Sequence, residues 1–346
     1  MELIEMIRQL SEARGPSGFE SAAREKAAEL LRPCVDEMTV DVMGNLIARR
    51  RGASDKAPTV MLDAHIDEIG LIVTGYEKGF LRFGMLGGVD ARMLPALEVC
   101  VLAEEPLFGV IGALPPHVLS AADREKPLEP DKLAIDVGLD EESVRKRVPL
   151  GTPVSFATGC LPLGAHRLSG KSLDDRSCVA ILIRAMELLQ GKELPCEVAL
   201  VLAVQEEVGC RGAVTAAYGV APEAAIAVDV THGAFPDAPR HLTCELNGGP
   251  VIGVGPNMNR GISRRLSFLA ERKGIPYQIE VSPAHSGTDA WPIQVSREGV
   301  ATGVLSLPLR YMHTPVEVVD LRDAEACAAL LAAWLEDYGT EEEENA

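Results

Sequence analysis

The 346-residue sequence contains no stretch near the roughly 18 consecutive apolar residues that a membrane span requires. Its eight cysteines (Cys34, Cys100, Cys160, Cys178, Cys196, Cys210, Cys244 and Cys327) are scattered, and no two form a Cys-x-x-Cys pair. A structural zinc knuckle and a disulfide framework are therefore not expected, and the thiols read mostly as small buried hydrophobes in a reducing compartment. Positive charge is in short supply: 33 Lys and Arg face 51 Asp and Glu, for a net charge of −18. Six of the acids fall in the last eleven residues, and the rest of the chain is still strongly acidic. Such a surface repels phosphate backbones and anionic lipid, which argues against nucleic acid and membrane partners. The opening Met-Glu-Leu-Ile-Glu-Met-Ile-Arg lacks a signal peptide's basic and apolar regions, so a cytoplasmic protein is expected. No internal repeat is visible, and only Glu341 to Glu344 is low in complexity.

What the chain does have is a hydrophobic fraction of 47%, ample for a large core, and a length that suggests about two domains. Leu3, Ile4, Ile7 and Leu10 make an apolar helical stripe, and a second helix is expected from Phe19 to Leu31, before Pro33. A hairpin turning at Met43-Gly44-Asn45 follows, then a short buried strand, Thr59 to His65. From about Leu71 to Cys160 the texture changes to short β-like runs separated by Gly, Pro and charged turns, which suggests a small β-rich module. The segment Asp123 to Asp131 is a polar loop within it. Helices and strands then alternate: a helix from Leu173 to Gln190, strands at Cys196–Val204, Ala224–Val228 and Ala301–Leu307, and a final helix from Leu321 to Tyr338. The expectation is an α/β domain, a mixed sheet sandwiched by helices, interrupted by the β module.

The His, Asp and Glu residues fall at informative places. His65-Ile66-Asp67, Glu206-Glu207, Asp229 and His313 each follow an apolar strand, and Asp174-Asp175 opens a helix. Open α/β sheets bind ligands at the carboxyl ends of their strands, so residues distant in sequence can converge there. Imidazole and carboxylate donors suit zinc, cobalt or manganese. Two His and three carboxylates, one of them bridging, would hold two ions roughly 3.5–4 Å apart. Each piece alone also has a structural reading: a helix-capping Asp174, a solvated Glu pair, a turn at Asp229, a satisfied His313 near Pro315. Taken together, those readings would leave polar groups at the ends of several apolar strands at once. In a metal site one of two adjacent glutamates can coordinate while its neighbour accepts a proton from water activated by the metal.

Six runs carry a resemblance. They are Asp63-Ala64-His65-Ile66-Asp67-Glu68-Ile69-Gly70, Leu173-Asp174-Asp175-Arg176, Gln205-Glu206-Glu207-Val208-Gly209, Ala227-Val228-Asp229-Val230-Thr231-His232, Gly287-Thr288-Asp289-Ala290 and Arg310-Tyr311-Met312-His313-Thr314-Pro315. In that order they resemble the dinuclear metallo-aminopeptidase family of glutamyl, deblocking and tetrahedral (TET) aminopeptidases, some of whose members were once described as endoglucanases. Ser17-Gly18-Phe19-Glu20, Asp41 with Gly44-Asn45, and Pro115-Pro116-His117 agree with it. The resemblance implies one metal held by His65, Asp174 and Asp229, and a second held by Asp174, Glu207 and His313. It makes Glu206 the general base and gives Asp67 the task of orienting His65. Asp289 is expected to shape the site rather than bind metal, and His232 and His285 receive no role.

The same resemblance implies a catalytic domain of residues 1–71 and 162–346 with an inserted β-rich dimerisation domain at 72–161. It further implies assembly into a homo-oligomer, from dimers up to a tetrahedral dodecamer; the polar segment Asp123 to Asp131 is read, apart from the resemblance, as a gate to such an interior. The expected activity is removal of N-terminal residues from peptides, with two zinc or cobalt ions per subunit, manganese being tolerated. Three other functions compete. A deacylase would act on N-acylated amino acids or blocked peptides with the same centre. A glycosidase needs two carboxyls about 5–9.5 Å apart and no metal, whereas this sequence supplies a metal set. A scaffold that merely keeps the fold would leave an intact base and ligand set unexplained.

Overall fold

The computed structural model describes residues 1–121, 129–284 and 286–339. Strands β1 (Glu37–Val40), β2 (Leu46–Arg50) and β3 (Thr59–His65) enter a large sheet. The chain then leaves it to build β4 (Gly70–Glu77), β5 (Phe80–Leu86), β6 (Glu98–Val101), β7 (Leu107–Gly112), β8 (Ala134–Asp136) and β9 (Pro153–Phe156). These six close an antiparallel barrel in the order β4-β5-β8-β7-β6-β9 around Leu71, Leu81, Val99, Ile111, Ile135 and Phe156. Back in the large sheet, the chain adds β10 (Leu161–Leu163), β11 (Arg167–Gly170), β12 (Glu197–Ala203), β13 (Ala224–His232), β14 (Val251–Val254), β15 (Gln278–Val281), β16 (Ala301–Arg310) and β17 (Glu317–Asp320).

The large sheet is mixed, ordered β1-β2-β12-β3-β13-β16-β17-β11-β10, with β14 pairing β16 and β15 pairing β14. Its centre, β12-β3-β13-β16, is parallel, so four carboxyl ends point the same way. The register sets Leu202 beside Ala64, Ala227 beside Asp63 and Asp229 beside Ser306.

The pleat explains why both faces are covered. Val60, Leu62, Val198, Leu200, Leu202, Ile226 and Val228 point to one side, against helices Leu3–Glu12, Leu173–Leu188 and Leu321–Glu336. Each of these buried side chains contributes about 1.5–3 kcal/mol. The alternate residues Ala199, Ala203, Ala225 and Ala227 are small and face helices Arg211–Val220 and Ala290–Ile293. Asp63, His65, Asp229 and Thr231 occupy that small-residue side by the same period of two. Helix Arg260–Lys273 shows how its boundaries are written locally: Asn259 accepts the Ile262 N–H at its start, and Gly274, at φ +66°, ends it.

Most expected elements are present, with shifted ends. The helix expected at 19–31 begins at Ser21, and that expected at 173–190 ends at Leu188. Strand β13 continues to His232 because its pairing with β16 runs on to Leu309, so Asp229 lies within a strand rather than beyond one. Strands β8, β10, β11, β14 and β17 and helix Glu141–Arg147 carry no expectation from the sequence. Residues 123–128 of the expected polar loop, the tail from Thr340 and His285 lie outside the described residues.

Candidate metal centre

The carboxyl ends of the parallel strands gather the residues singled out in the sequence. His65 closes β3, and Asp67 follows it in the loop. Glu206 and Glu207 follow β12, Asp229 projects from β13, and His313 lies just past β16. Asp174 and Asp175 stand at the head of helix Leu173–Leu188, where both depart from helical φ/ψ. The loop after β12 is pinned by Asn45: its Oδ1 accepts the Val204 N–H at 2.9 Å and its Nδ2 donates to Gly212 O at 3.0 Å. Asp41 in turn accepts from the Asn45 side chain at 2.7 Å. A Cβ at Gly212 would meet Asn45 Oδ1 at 2.3 Å, so that close approach requires glycine.

The distances are those of one cluster. His65 Nε2 is 3.1 Å from Asp174 Oδ1, and His313 Nε2 is 3.7 Å from Asp174 Oδ2 and 3.5 Å from Glu207 Oε2. Glu206 Oε2 is 4.0 Å from His65 Nε2. His65, Asp174 and Glu207 offer ligand atoms within 4.8 Å of one another, and so do His65, Asp175 and Asp229. Fully buried Asp67 ties several pieces together. Its Oδ1 accepts the Glu206 N–H at 2.9 Å and lies 3.4 Å from His65 Nδ1. Its Oδ2 accepts the Glu207 N–H at 3.2 Å and the Ser17 hydroxyl at 2.6 Å. His313 Nδ1 is 3.0 Å from the carbonyl of Gly88, so the segment just past β5 reaches this histidine.

The cluster is short of positive charge. Burial pushes Glu206 above its ordinary range, with Asp67 and Asp174 adding to the rise. Burial does the same more strongly to Glu207 and Asp229. Burial alone would lower His65, but Asp174 and Asp67 outweigh it and hold the ring well above its ordinary value. Burial would raise Asp67; contact with His65, the Ser17 hydroxyl and the Glu206 amide instead hold it below the usual carboxylate range. No Lys or Arg is among the described residues that line the cavity of about 240 Å³ opening here. Buried carboxylates in that balance need a cation, and the imidazole and carboxylate donors fit a divalent metal. Bound there, a divalent ion supplies Lewis acidity, polarising a carbonyl and acidifying water.

Five further groups belong to the site, and of these only Asp289 was given a role from sequence, that of shaping it. Glu317 on β17 accepts the Asp174 N–H and the His313 N–H, both at 3.1 Å, and so couples two otherwise separate segments. Asp175 is fully buried, accepting the His65 N–H at 3.3 Å. The carboxyls of Asp63 and Asp289 are buried beside each other, where neither meets an N–H donor among the described residues, and burial pushes Asp63 up to about 7. Cys210 is an exception to the reading of the thiols as small buried hydrophobes: its Sγ lies 3.2 Å from Glu206 Oε1. The signals available were a charged residue inside each apolar strand, at Asp63 and Glu317. His232 is exposed and lines the cavity.

A mixed α/β sheet whose parallel central strands gather two histidines and several buried carboxylates at their carboxyl ends defines a metallohydrolase. The M42 glutamyl aminopeptidase family model matches residues 44–330, and the chain belongs to that family. It is a metal-dependent aminopeptidase, a peptide hydrolase that removes N-terminal residues, and the deacylase alternative is not favoured. A lysyl aminopeptidase of Pyrococcus furiosus is 39% identical over 339 residues, 96% of each chain. The solved aminopeptidase of Desulfurococcus kamchatkensis superposes with a TM-score of 0.90 at 38% identity, over 97% of this chain and 95% of that one. The TET1 peptidase of Pyrococcus horikoshii, described as assembling into a tetrahedron or a large octahedral shell, has a TM-score of 0.85 at 33% identity, over 96% and 99%.

Proposed function

We propose that the aminopeptidase works with two divalent ions, one held by His65, Asp174 and Asp229 and the other by Asp174, Glu207 and His313. The observation that carries this reading is the position of Asp174. Its two oxygens face two different imidazoles, Oδ1 toward His65 and Oδ2 toward His313, as a bridging carboxylate requires. Glu206 is the general base: it takes a proton from the attacking water and returns it to the leaving amine. Its backbone, fixed on Asp67, and its Oε1, against Cys210, support that role. Asp67 orients His65 through Nδ1, leaving Nε2 for the ion. Zinc and cobalt suit the donor set best, and manganese is tolerated.

The proposal extends to assembly. The barrel, whose first strand begins at Gly70, makes up most of an inserted domain of residues 72–161 and carries the dimer contact, and residues 1–71 and 162–346 form the catalytic domain. Exposed Phe80, Phe108 and Val110 on barrel strands support an interface there. The homo-oligomer builds from dimers toward a tetrahedral dodecamer, and peptides, rather than nucleic acid or membrane, are its partners. The eight free cysteines support a reducing, cytoplasmic location.

The test is a screen of aminoacyl-p-nitroanilides with free and N-acetylated amines, on apoprotein and on Zn²⁺-, Co²⁺- or Mn²⁺-loaded protein. Metal-dependent cleavage confined to free amines is expected; cleavage of only the acetylated set would move the activity to a deacylase. Light scattering at a mass near twelve chains is the expected assembly result, and a monomer would refute it.

A further inference from the structure

Beyond the proposed ligands and base, the cavity is lined by one more carboxylate, Glu280 on β15. The Thr231 hydroxyl donates to Glu280 Oε1 at 3.0 Å, while Oε2 has no hydrogen-bond partner among the described residues. Thr231 stands two residues beyond Asp229 on β13. Residues i and i+2 of a strand share a face with Cα atoms about 6.6 Å apart, so Thr231 stands one same-face step from Asp229 and holds Glu280 at the cavity. Met258, Met312 and Val304 give the cavity apolar wall, and no Lys or Arg is among the described residues that line it. His232 is its remaining imidazole outside the ligand set.

We infer that Glu280 receives the side chain of a basic first residue and makes lysine and arginine the preferred N-termini. The inference rests on the aminopeptidase reading, with the scissile carbonyl at the metal cluster. A first residue whose carbonyl lies at the cluster has its side chain in the same cavity, where Glu280 is the carboxylate outside the proposed ligands and base. The methylenes of a lysine lie along the methionines and its ammonium meets the carboxylate, an apolar stem with a charge-assisted bond at the tip. An acidic first residue would face Glu280 with like charge, and no Lys or Arg is among the described lining residues to compensate it.

The experiment compares lysyl- and norleucyl-p-nitroanilide, which differ chiefly in the terminal ammonium, with glutamyl-p-nitroanilide as a third substrate, on metal-loaded protein. Lysyl is expected to exceed norleucyl in kcat/KM by about tenfold or more, the scale of one hydrogen bond to a charged group. Glu280→Gln should cut that ratio by about tenfold to hundredfold with metal content unchanged. Thr231→Val, which removes only the orienting hydroxyl, should lower it in the same direction by less. Competition by lysinamide against norleucinamide should follow the same order without turnover. A wild-type preference for norleucyl or glutamyl substrate, or a ratio that Glu280→Gln leaves within twofold, overturns the assignment of Glu280 alone. Silence on all three substrates overturns the aminopeptidase reading together with it.

Discussion

Gly88 offers a way to displace one proposed ligand without touching it. It lies just beyond β5, and its carbonyl meets His313 Nδ1 at 3.0 Å. A Cβ added there would stand 2.5 Å from Nδ1 and 2.7 Å from Cε1, against the 3.4 Å at which ordinary contact begins. Gly88 does not have positive φ, so alanine brings no backbone strain and the effect is the contact alone. The half-exposed ring of His313 has room to yield and must move by about 1 Å, well outside the roughly 0.2 Å that metal–ligand distances tolerate. It also loses the partner that fixes its second nitrogen, a change that costs about 10–100-fold in metal affinity. Gly88→Ala is therefore expected to weaken one of the two proposed ions by that factor, with a melting temperature near that of the wild type. Zn²⁺ titration of the apoprotein against a chromophoric chelator measures it, and kcat/KM should fall in parallel. Gly84→Ala is the control, because its Cβ would meet only Thr74 and Ile72 at 3.5 and 3.7 Å. Unchanged affinity and kcat/KM in Gly88→Ala would refute His313 as a ligand.

Glu206→Gln should retain close to two ions per chain by elemental analysis while turnover falls by about 10²–10⁴-fold; loss of an ion would mean that Glu206 and Glu207 have exchanged roles. Asp174→Ala should lose both ions, and two retained ions would overturn the bridge. Lys171→Met strands the buried Glu68 carboxylate, which Lys171 neutralises while Gly15 N–H and Ser155 Oγ donate to it at 2.8 and 3.0 Å. Urea unfolding should register a loss of about 3–5 kcal/mol, and adding Glu68→Gln should recover part of it.

The α/β class and the neighbourhood of the site were legible because apolar strands ending in His, Asp or Glu stand out against their flanks. The strands that escaped notice lack that contrast. Leu161–Leu163 is exposed throughout, and Ala134–Asp136 is only three residues long. Glu317 and Asp63 read as interruptions of apolar runs, and their meaning depends on partners far away in sequence. Arg176 shows the same limit. It is fully buried, with Nε donating to the carbonyl of Ile66 at 2.7 Å and Nη1 to those of Leu10 and Ala13 at 2.6 and 2.8 Å. Nothing local to residue 176 announces that this guanidinium joins the first helix to the loop after β3.

The period-two alternation of the central strands has a consequence for how the sheet is checked as it forms. His65 and Asp229 reach the cavity because β3 and β13 pair with Ala227 opposite Asp63. A slip of one residue in either strand would turn its polar side chain toward the large-residue face. With the proposed ligands, a slipped sheet offers the ions an incomplete set, whereas the native register offers all of it. Ions that bind one register alone favour it by mass action. Metal bound by the proposed ligands would thus proofread strand pairing, and a chain folded without it would lose a filter against its own near-misses.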